Sequence, residues 1–520
     1  VKPILKKNPL AYRYYKREKH SRKDFELLYW RDYAAIRILD YIDNAGREFE
    51  DLNRRGETVK TSPFKLLWLA HRDGSGGATS NFLADMIQLF RQFEGKCNRM
   101  LPSKEKILEW MDRYPSGLEP EIVTLRERNK QRILDVLLKK IESGKVKSRK
   151  YVLREGSYEE KMAQLHEWWD ESAFHLTFAV RTPDDLNEML GHSIDPDIMD
   201  VLYDAEKKGI PFFVNPYYLS LLNVNSPEFA IGADTAIRDY VIYSENLVDE
   251  FGHIVAWEKE DVVKPGEPNA AGWILPSSHN LHRRYPKVAI LIPDTVGRAC
   301  GGLCSSCQRM YGFQEGNLNF DLERLKPGET WNEKLERLLD YYEKDSQLRD
   351  ILITGGDALM STDASLKHIL DRVLAMAKRK VENNRSKPEG EKFAEILRVR
   401  LGTRLLAYLP QRVTEEMVKI LADFKAEASK IGIKQFVIQT HFQSPMEITP
   451  EVEKAVQLII NCGWLITNQL VFSAAASRRG HTAKLRKELN DIGILPYYTF
   501  SVKGYMENNF SFAPNARVVQ

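Results

Sequence analysis

From residue 286 onward, short apolar runs alternate with longer stretches of helical periodicity. Residues 288–292, 351–354, 396–401, 435–439, 464–472 and 495–500 read as buried strands. Residues 331–342, 364–381, 414–426, 450–462 and 483–492 between them read as helices. Strand then helix, repeated about six times, predicts a parallel sheet with right-handed crossovers. No Gly-rich Rossmann turn opens any unit. The expected fold class is therefore α/β, a TIM-like partial (β/α)6 barrel over residues 286–520.

The pattern before residue 286 differs. Residues 1–150 read as a helical N-terminal extension, with one long charged helix over 14–57 and further helices over 82–93, 102–113 and 122–143. Residues 151–285 are mixed: aromatic-rich around Trp168-Trp169, apolar over 212–222 with a break at Pro216, and Pro/Gly/Asn/Ser-rich over 262–280. Thr182-Pro183-Asp184-Asp185 carries helix-start chemistry.

In such barrels the loops after the strands' C-terminal ends carry the chemistry. Read in order, they hold Cys300, Cys304, Cys307 and Arg309, then Gly355-Gly356-Asp357, then Gly402-Thr403-Arg404, then His441-Phe442-Gln443. The fifth strand carries Asn468-Gln469, and the sixth leads to Ser501-Val502-Lys503. Polar and ionisable groups thus collect on one predicted rim.

Composition adds mainly exclusions. The chain has 520 residues, 43% hydrophobic and 29% charged, with 76 Lys+Arg against 73 Asp+Glu. That near balance gives no global footprint for nucleic acid, and no nucleic-acid partner is expected. No apolar stretch approaches a membrane span, and the N-terminus has no signal-peptide core, so a soluble cytoplasmic protein is expected. Five cysteines rule out a secreted disulfide scaffold.

Three of those five form Cys300-x3-Cys304-x2-Cys307. Thiolates are soft ligands that suit iron–sulfur clusters or zinc. Zinc would need a fourth ligand, for which His282 is poorly placed. On a [4Fe–4S] cluster three cysteines leave one iron open to an external ligand. Cys97 and Cys462 read as small buried hydrophobes.

CxxxCxxC after the first strand, with Gly355-Gly356-Asp357 after the second, resembles the radical S-adenosylmethionine (SAM) superfamily. Further segments resemble its lysine 2,3-aminomutase family: Asn215-Pro216-Tyr217-Tyr218, Arg284-Tyr285-Pro286, Leu409-Pro410-Gln411-Arg412, Thr440-His441-Phe442, Glu447-Ile448-Thr449-Pro450, Asn468-Gln469 and Pro496-Tyr497-Tyr498. The resemblance runs collinearly over about residues 160–520, and residues 1–150 do not share it. It implies a [4Fe–4S] cluster, SAM and pyridoxal 5′-phosphate (PLP) as cofactors. It implies transfer of an amino acid's α-amino group to its β carbon, with a flavodoxin- or ferredoxin-type reductase as partner and a homo-oligomeric assembly.

Residue by residue, the resemblance implies that Gly355, Gly356, Asp357, His441 and Gln469 meet SAM, with the Asp357 carboxylate on its amino group. Arg309 would grip the substrate carboxylate, while Arg284 and Lys287 would bind the PLP phosphate. Lysine-specific members place an aspartate where this chain has Lys503, and a cation there favours an acidic side chain. The glutamate 2,3-aminomutase branch is the expected one; another amino acid, or a PLP-free radical SAM reaction on a peptide or RNA, are the alternatives. A second departure is Ala475, where the lysine enzymes tend to have arginine. No Gly-Gly-Gly-Lys for the PLP Schiff base occurs before Gln520, so the chain is expected to be a piece of a longer protein.

Overall fold

The structure, a computed structural model, describes residues 1–16, 28–51, 57–60, 62–74, 78, 80–96, 103–210, 212–224, 232–245, 248, 281–293, 330–354 and 356–500. It forms two compact units, Val1–Lys104 and Glu105–Gln520.

The smaller unit is built on helices Pro9–Tyr15, Trp30–Asp43, Pro63–Asp73 and Ser80–Phe93. Asn8 caps the first of these through its side-chain oxygen, and its amide donates to Asp32 at 2.7 Å. Asp32 also accepts from the Tyr29 backbone at 3.0 Å, so one carboxylate joins two helix starts. Apolar burial is divided between two small clusters, one around Leu5, Ile36 and Leu39, the other around Ile38, Met86 and Leu89.

The continuous helix expected over residues 14–57 is not what forms. The Trp30–Asp43 helix stops at Asn44, and Gly46 takes φ +78°, a left-handed conformation that ends the helical path. A hairpin follows, β1 (Glu48–Asp51) with β2 (Glu57–Lys60). Its register sets Phe49 opposite Val59 and Glu48 opposite Lys60, the latter an ion pair at 3.0 Å.

In the larger unit one sheet of seven strands runs in sequence order: β3 (Leu281–Tyr285), β4 (Val288–Leu291), β5 (Asp350–Ile353), β6 (Arg398–Gly402), β7 (Gln435–Thr440), β8 (Leu465–Val471) and β9 (Ile494–Phe500). β3 pairs antiparallel with β4, and β4 to β9 are parallel. The six expected strands and the five expected helices all form, within a few residues at their ends. β3 was not expected, because Leu281-His282-Arg283-Arg284-Tyr285 reads as a charged loop.

Threonine sets where the crossover helices begin. Thr330, Thr362, Thr414 and Thr449 each accept a backbone N–H three residues on, starting Trp331–Lys344, Asp363–Arg385, Glu415–Ser429 and Pro450–Asn461. Ile351, Ile353, Val399 and Leu401 are fully buried and join Leu338, Leu366 and Leu370 in one continuous core. Alternate positions on the same strands carry charge instead. Arg400 donates to Asp350 and to Gln439, each at 2.9 Å, and Arg398 reaches Asp350 at 3.3 Å.

The Pro120–Glu142 helix packs into this larger unit. Asn129 donates to the Ser220 carbonyl at 3.0 Å, Arg126 holds Glu451 with both guanidinium nitrogens at 3.2 Å, and Lys140 meets Asp185 at 2.6 Å. Contacts therefore divide the chain after Lys104, upstream of the boundary at 150 that composition suggested.

Candidate active site

The C-terminal edge of the parallel strands brings three expected residues to one side of the sheet. Asp357 follows β5 by four residues, His441 follows β7 directly, and Gln469 lies near the end of β8.

Asp357 is buried, and each of its carboxylate oxygens holds a backbone N–H. One oxygen accepts from the Leu359 backbone at 2.9 Å, and the other from the Arg404 backbone at 2.6 Å. The Thr403 hydroxyl beside it accepts from the Leu405 N–H at 3.0 Å. Burial pushes this carboxyl up, and its hydrogen-bond donors pull it back. The side chain thus clamps the β5 turn to the β6 loop.

His441 is held from several sides. Its Nε2 lies 3.0 Å from the Gln443 side-chain oxygen. The Gln443 amide donates to the Val471 carbonyl at 2.6 Å and to Ser473 Oγ at 3.1 Å, which fixes its oxygen as the acceptor. His441 Nε2 therefore carries the proton and Nδ1 is left as an acceptor. The ring sits edge-on to Tyr240 at 6.1 Å. Burial, then the nearby Arg404 guanidinium, push its pKa down, so it is a neutral imidazole. Asn468 exchanges two hydrogen bonds with the Phe442 backbone, at 2.6 and 3.2 Å, pinning this loop to β8.

Beneath the rim lies a network that sequence reasoning left without a role. The Arg404 guanidinium is sandwiched between Tyr240 at 4.3 Å and Tyr408 at 4.2 Å. It donates to Glu447 at 3.2 Å, and Tyr218 donates to the same oxygen at 2.7 Å. Glu447 also accepts from the Gln443 and Ser444 backbones and is fully buried. Asn215 caps the Pro216–Leu219 helix and donates to the Tyr408 carbonyl at 2.8 Å. Arg412 donates to the Leu359 and Ser361 carbonyls at 2.8 and 2.9 Å. The Asn-Pro-Tyr-Tyr, Pro-Gln-Arg and Glu-Ile-Thr-Pro segments thus brace the rim. A buried polar type in each was the available signal.

Lys287 does not join this edge. It precedes β4, so it sits exposed at the opposite, N-terminal end of the parallel strands. The β3–β4 turn puts it there, where its carbonyl accepts from Arg349 and Asp350. Lys287 therefore lies apart from Asp357, His441 and Gln469. Arg284 lies in β3 at a register shift, and its side chain is outside the described residues. Cys300, Cys304, Cys307, Arg309, Gly355 and Lys503 are also outside them. Among the described residues no cluster of three metal-ligating side chains occurs, and no helix is long and apolar enough to cross a membrane.

Two rim atoms fit a polar ligand. Thr440 Oγ1, on the last residue of β7, is buried without a hydrogen-bond partner. The half-buried Gln469 lies across the same edge. An unpartnered hydroxyl and a half-buried amide at adjacent strand ends are groups that a polar ligand could engage.

Fold and rim together define an α/β protein with a candidate small-molecule site at the C-terminal edge of a parallel sheet. No protein-family model matches the chain. It is 29% identical to an uncharacterized KamA family protein of Methanocaldococcus jannaschii over 452 residues, 86% of this chain and 59% of that protein. It is 25% identical to an L-lysine 2,3-aminomutase of Methanococcus maripaludis over 64% of each chain. It is 28% identical to a glutamate 2,3-aminomutase of Clostridioides difficile, over 59% of this chain and 60% of that one. The chain spans about three fifths of the length of these relatives. The similarities support membership of the lysine 2,3-aminomutase family of radical SAM proteins.

Proposed function

We propose that this chain carries the radical SAM part of an amino acid 2,3-aminomutase, with L-glutamate as substrate and β-glutamate as product. The observation that carries the reading is the convergence of Asp357, His441 and Gln469 on the edge toward which β4 leads Cys300, Cys304 and Cys307. The sheet is then the wall of a partial barrel. The names of the two aminomutase relatives support the reaction class.

When bound, the [4Fe–4S] cluster, SAM and PLP supply the one-electron chemistry that moves an amino group from the α to the β carbon. The chain's own groups bind and orient. The three cysteines hold iron as thiolates. Gly355, Gly356 and Asp357 would meet the SAM amino group, with Asp357 held in place by the Leu359 and Arg404 backbones. Neutral His441 and Gln469 offer an acceptor and an amide beside it. Arg309 grips the substrate α-carboxylate with a bidentate fork, and Arg284 takes the PLP phosphate. Lys503 faces the substrate's side-chain carboxylate, where it would repel the ammonium of lysine.

The test is anaerobic cluster reconstitution followed by SAM, dithionite and PLP, with L-glutamate and L-lysine as competing substrates read by mass spectrometry. β-Glutamate without β-lysine is expected, and Lys503→Asp should abolish it. 5′-Deoxyadenosine formed with no β-amino acid from either substrate would overturn the aminomutase assignment while keeping SAM cleavage.

A further inference from the structure

A cleft of about 550 Å³ lies beside the rim, lined by Thr235, Asp239, Ala474, Ala475, Ser477, Arg478 and Arg479. One wall is the Thr235–Arg238 helix and the residue after it; the other is the loop that follows β8. None of the residues given a role above lines it.

Both walls are fixed from behind. Arg238 donates to Asp234 at 2.6 Å and to the Asn223 carbonyl, anchoring the short helix. Ser473 Oγ accepts from the Ala476 backbone at 3.2 Å, and Thr482 donates to the Ala476 carbonyl at 2.9 Å. Gly480 closes the loop at φ +89°, and a Cβ there would stand 2.3 Å from the Trp110 carbonyl oxygen. Arg479 rests on the Trp110 ring at 5.2 Å. The loop has little freedom to collapse into the cleft.

The charges facing the cleft are complementary but not joined. Asp239 and Arg478 interact through space, yet no ion pair or hydrogen bond links them. Arg238, the other cation near Asp239, is engaged by Asp234. Among the described residues the Asp239 carboxylate has no hydrogen-bonded partner. Its pKa is pushed up to about 6, first by burial and also by Asp234, against the pull of Arg478 and Arg238. A carboxylate short of a cation and a guanidinium short of an anion thus stand across one gap, with the Thr235 and Ser477 hydroxyls beside them.

We propose that this cleft binds the zwitterionic head of an α-amino acid, its carboxylate on Arg478 and its ammonium on Asp239. A guanidinium fork and an acceptor carboxylate are the two groups such a head needs, and the alanine methyls leave room for a side chain. A free amino acid and the methionyl end of SAM carry the same head. The inference does not rest on the aminomutase reading.

The test is calorimetric titration of the purified chain, without cluster or PLP, with L-glutamate, L-lysine and SAM in turn. Glutarate, which lacks the ammonium, and cadaverine, which lacks the carboxylate, should bind at least tenfold more weakly than the amino acids. Arg478→Gln and Asp239→Asn should each weaken amino acid binding at least tenfold. Above pH 6 the ionised Asp239 is disfavoured in the fold, so Asp239→Asn should raise the thermal midpoint at pH 7.5 and leave it unchanged at pH 4. Lost binding in a stabilised variant excludes misfolding as the cause. Displacement of the amino acid by SAM would assign the head to SAM, and no displacement would assign it to a free amino acid. Unchanged binding in both cleft variants, or equal binding of glutarate, would overturn the proposal.

Discussion

The two units solve the same problem of burial in different ways. Residues 105–520 sink strands and helices into one continuous core. Residues 1–104 divide a few buried side chains between two clusters and leave Tyr29, Trp30, Ile42, Trp68 and Ile87 exposed. Charge differs as well. Residues 1–104 hold 21 Lys+Arg against 13 Asp+Glu, a net +8, so the rest of the chain carries −5 of the total +3. The near-neutral whole hides a basic region, which is where the surface field differs. Large shared cores tolerate buried charge networks such as Arg404–Glu447–Tyr218, and small divided cores hold none of that size among the described residues.

That contrast can be broken most forcefully at Glu447. Replacing it with leucine leaves the Arg404 guanidinium and the Tyr218 hydroxyl buried without their acceptor. The expected cost is about 3–5 kcal/mol, measured by denaturant unfolding of the larger unit. A loss under 1 kcal/mol would mean that the network is not a brace.

Ile38→Ala should cost about 2–4 kcal/mol, felt only in the transition of residues 1–104. Two resolved transitions, one shifted and one not, are expected in calorimetry. A single transition that moves as a whole would deny the units separate stability.

Acid should separate the units next. Burial holds His175 down to about 3 and His481 to about 4, both in the larger unit. His175 is a satisfied neutral ring, with Nε2 donating to the Trp169 carbonyl at 2.7 Å and Nδ1 accepting from Tyr217 at 3.2 Å. Its folded pKa lies below its unfolded value near 6.5, so the unfolded state binds more protons between those limits. Stability is full above about pH 6.5 and falls as pH drops toward the folded value. About 2 kcal/mol per histidine is expected to be lost by pH 5. His175→Gln should flatten that slope in the larger unit's melting curve.

The smallest effect is expected at Arg72, whose guanidinium lies 4.4 Å from the exposed Trp68 ring. Arg72→Ala should lower the smaller unit's thermal midpoint only slightly, the least of the changes described.

The larger unit's strands and helices were legible in the sequence because buried parallel strands are continuous apolar runs and their crossover helices keep a 3.6-residue period. β3 escaped because its residues are mostly polar and its strand form depends on pairing with β4. The hairpin β1–β2 escaped for a related reason. Glu48-Phe49-Glu50-Asp51 has poor intrinsic strand propensity, and its strand form depends on pairing with β2. The positions of Asp357, His441 and Gln469 near the C-terminal ends of β5, β7 and β8 were legible because strand order suffices to place them. Arg404 was seen on its loop without a role, since its meaning lies in two tyrosines from distant segments. The place of Lys287 at the opposite end was not read, because the β3–β4 turn that sets it depends on a strand the sequence did not show.

The clamp on Asp357 has a consequence in time. A carboxylate that already holds two backbone N–H groups, one on its own turn and one on the β6 loop, acquires its place when the chain folds, before any ligand arrives. A ligand that met Asp357 would encounter a finished surface, at a speed set by diffusion and desolvation instead of by rearrangement of that contact.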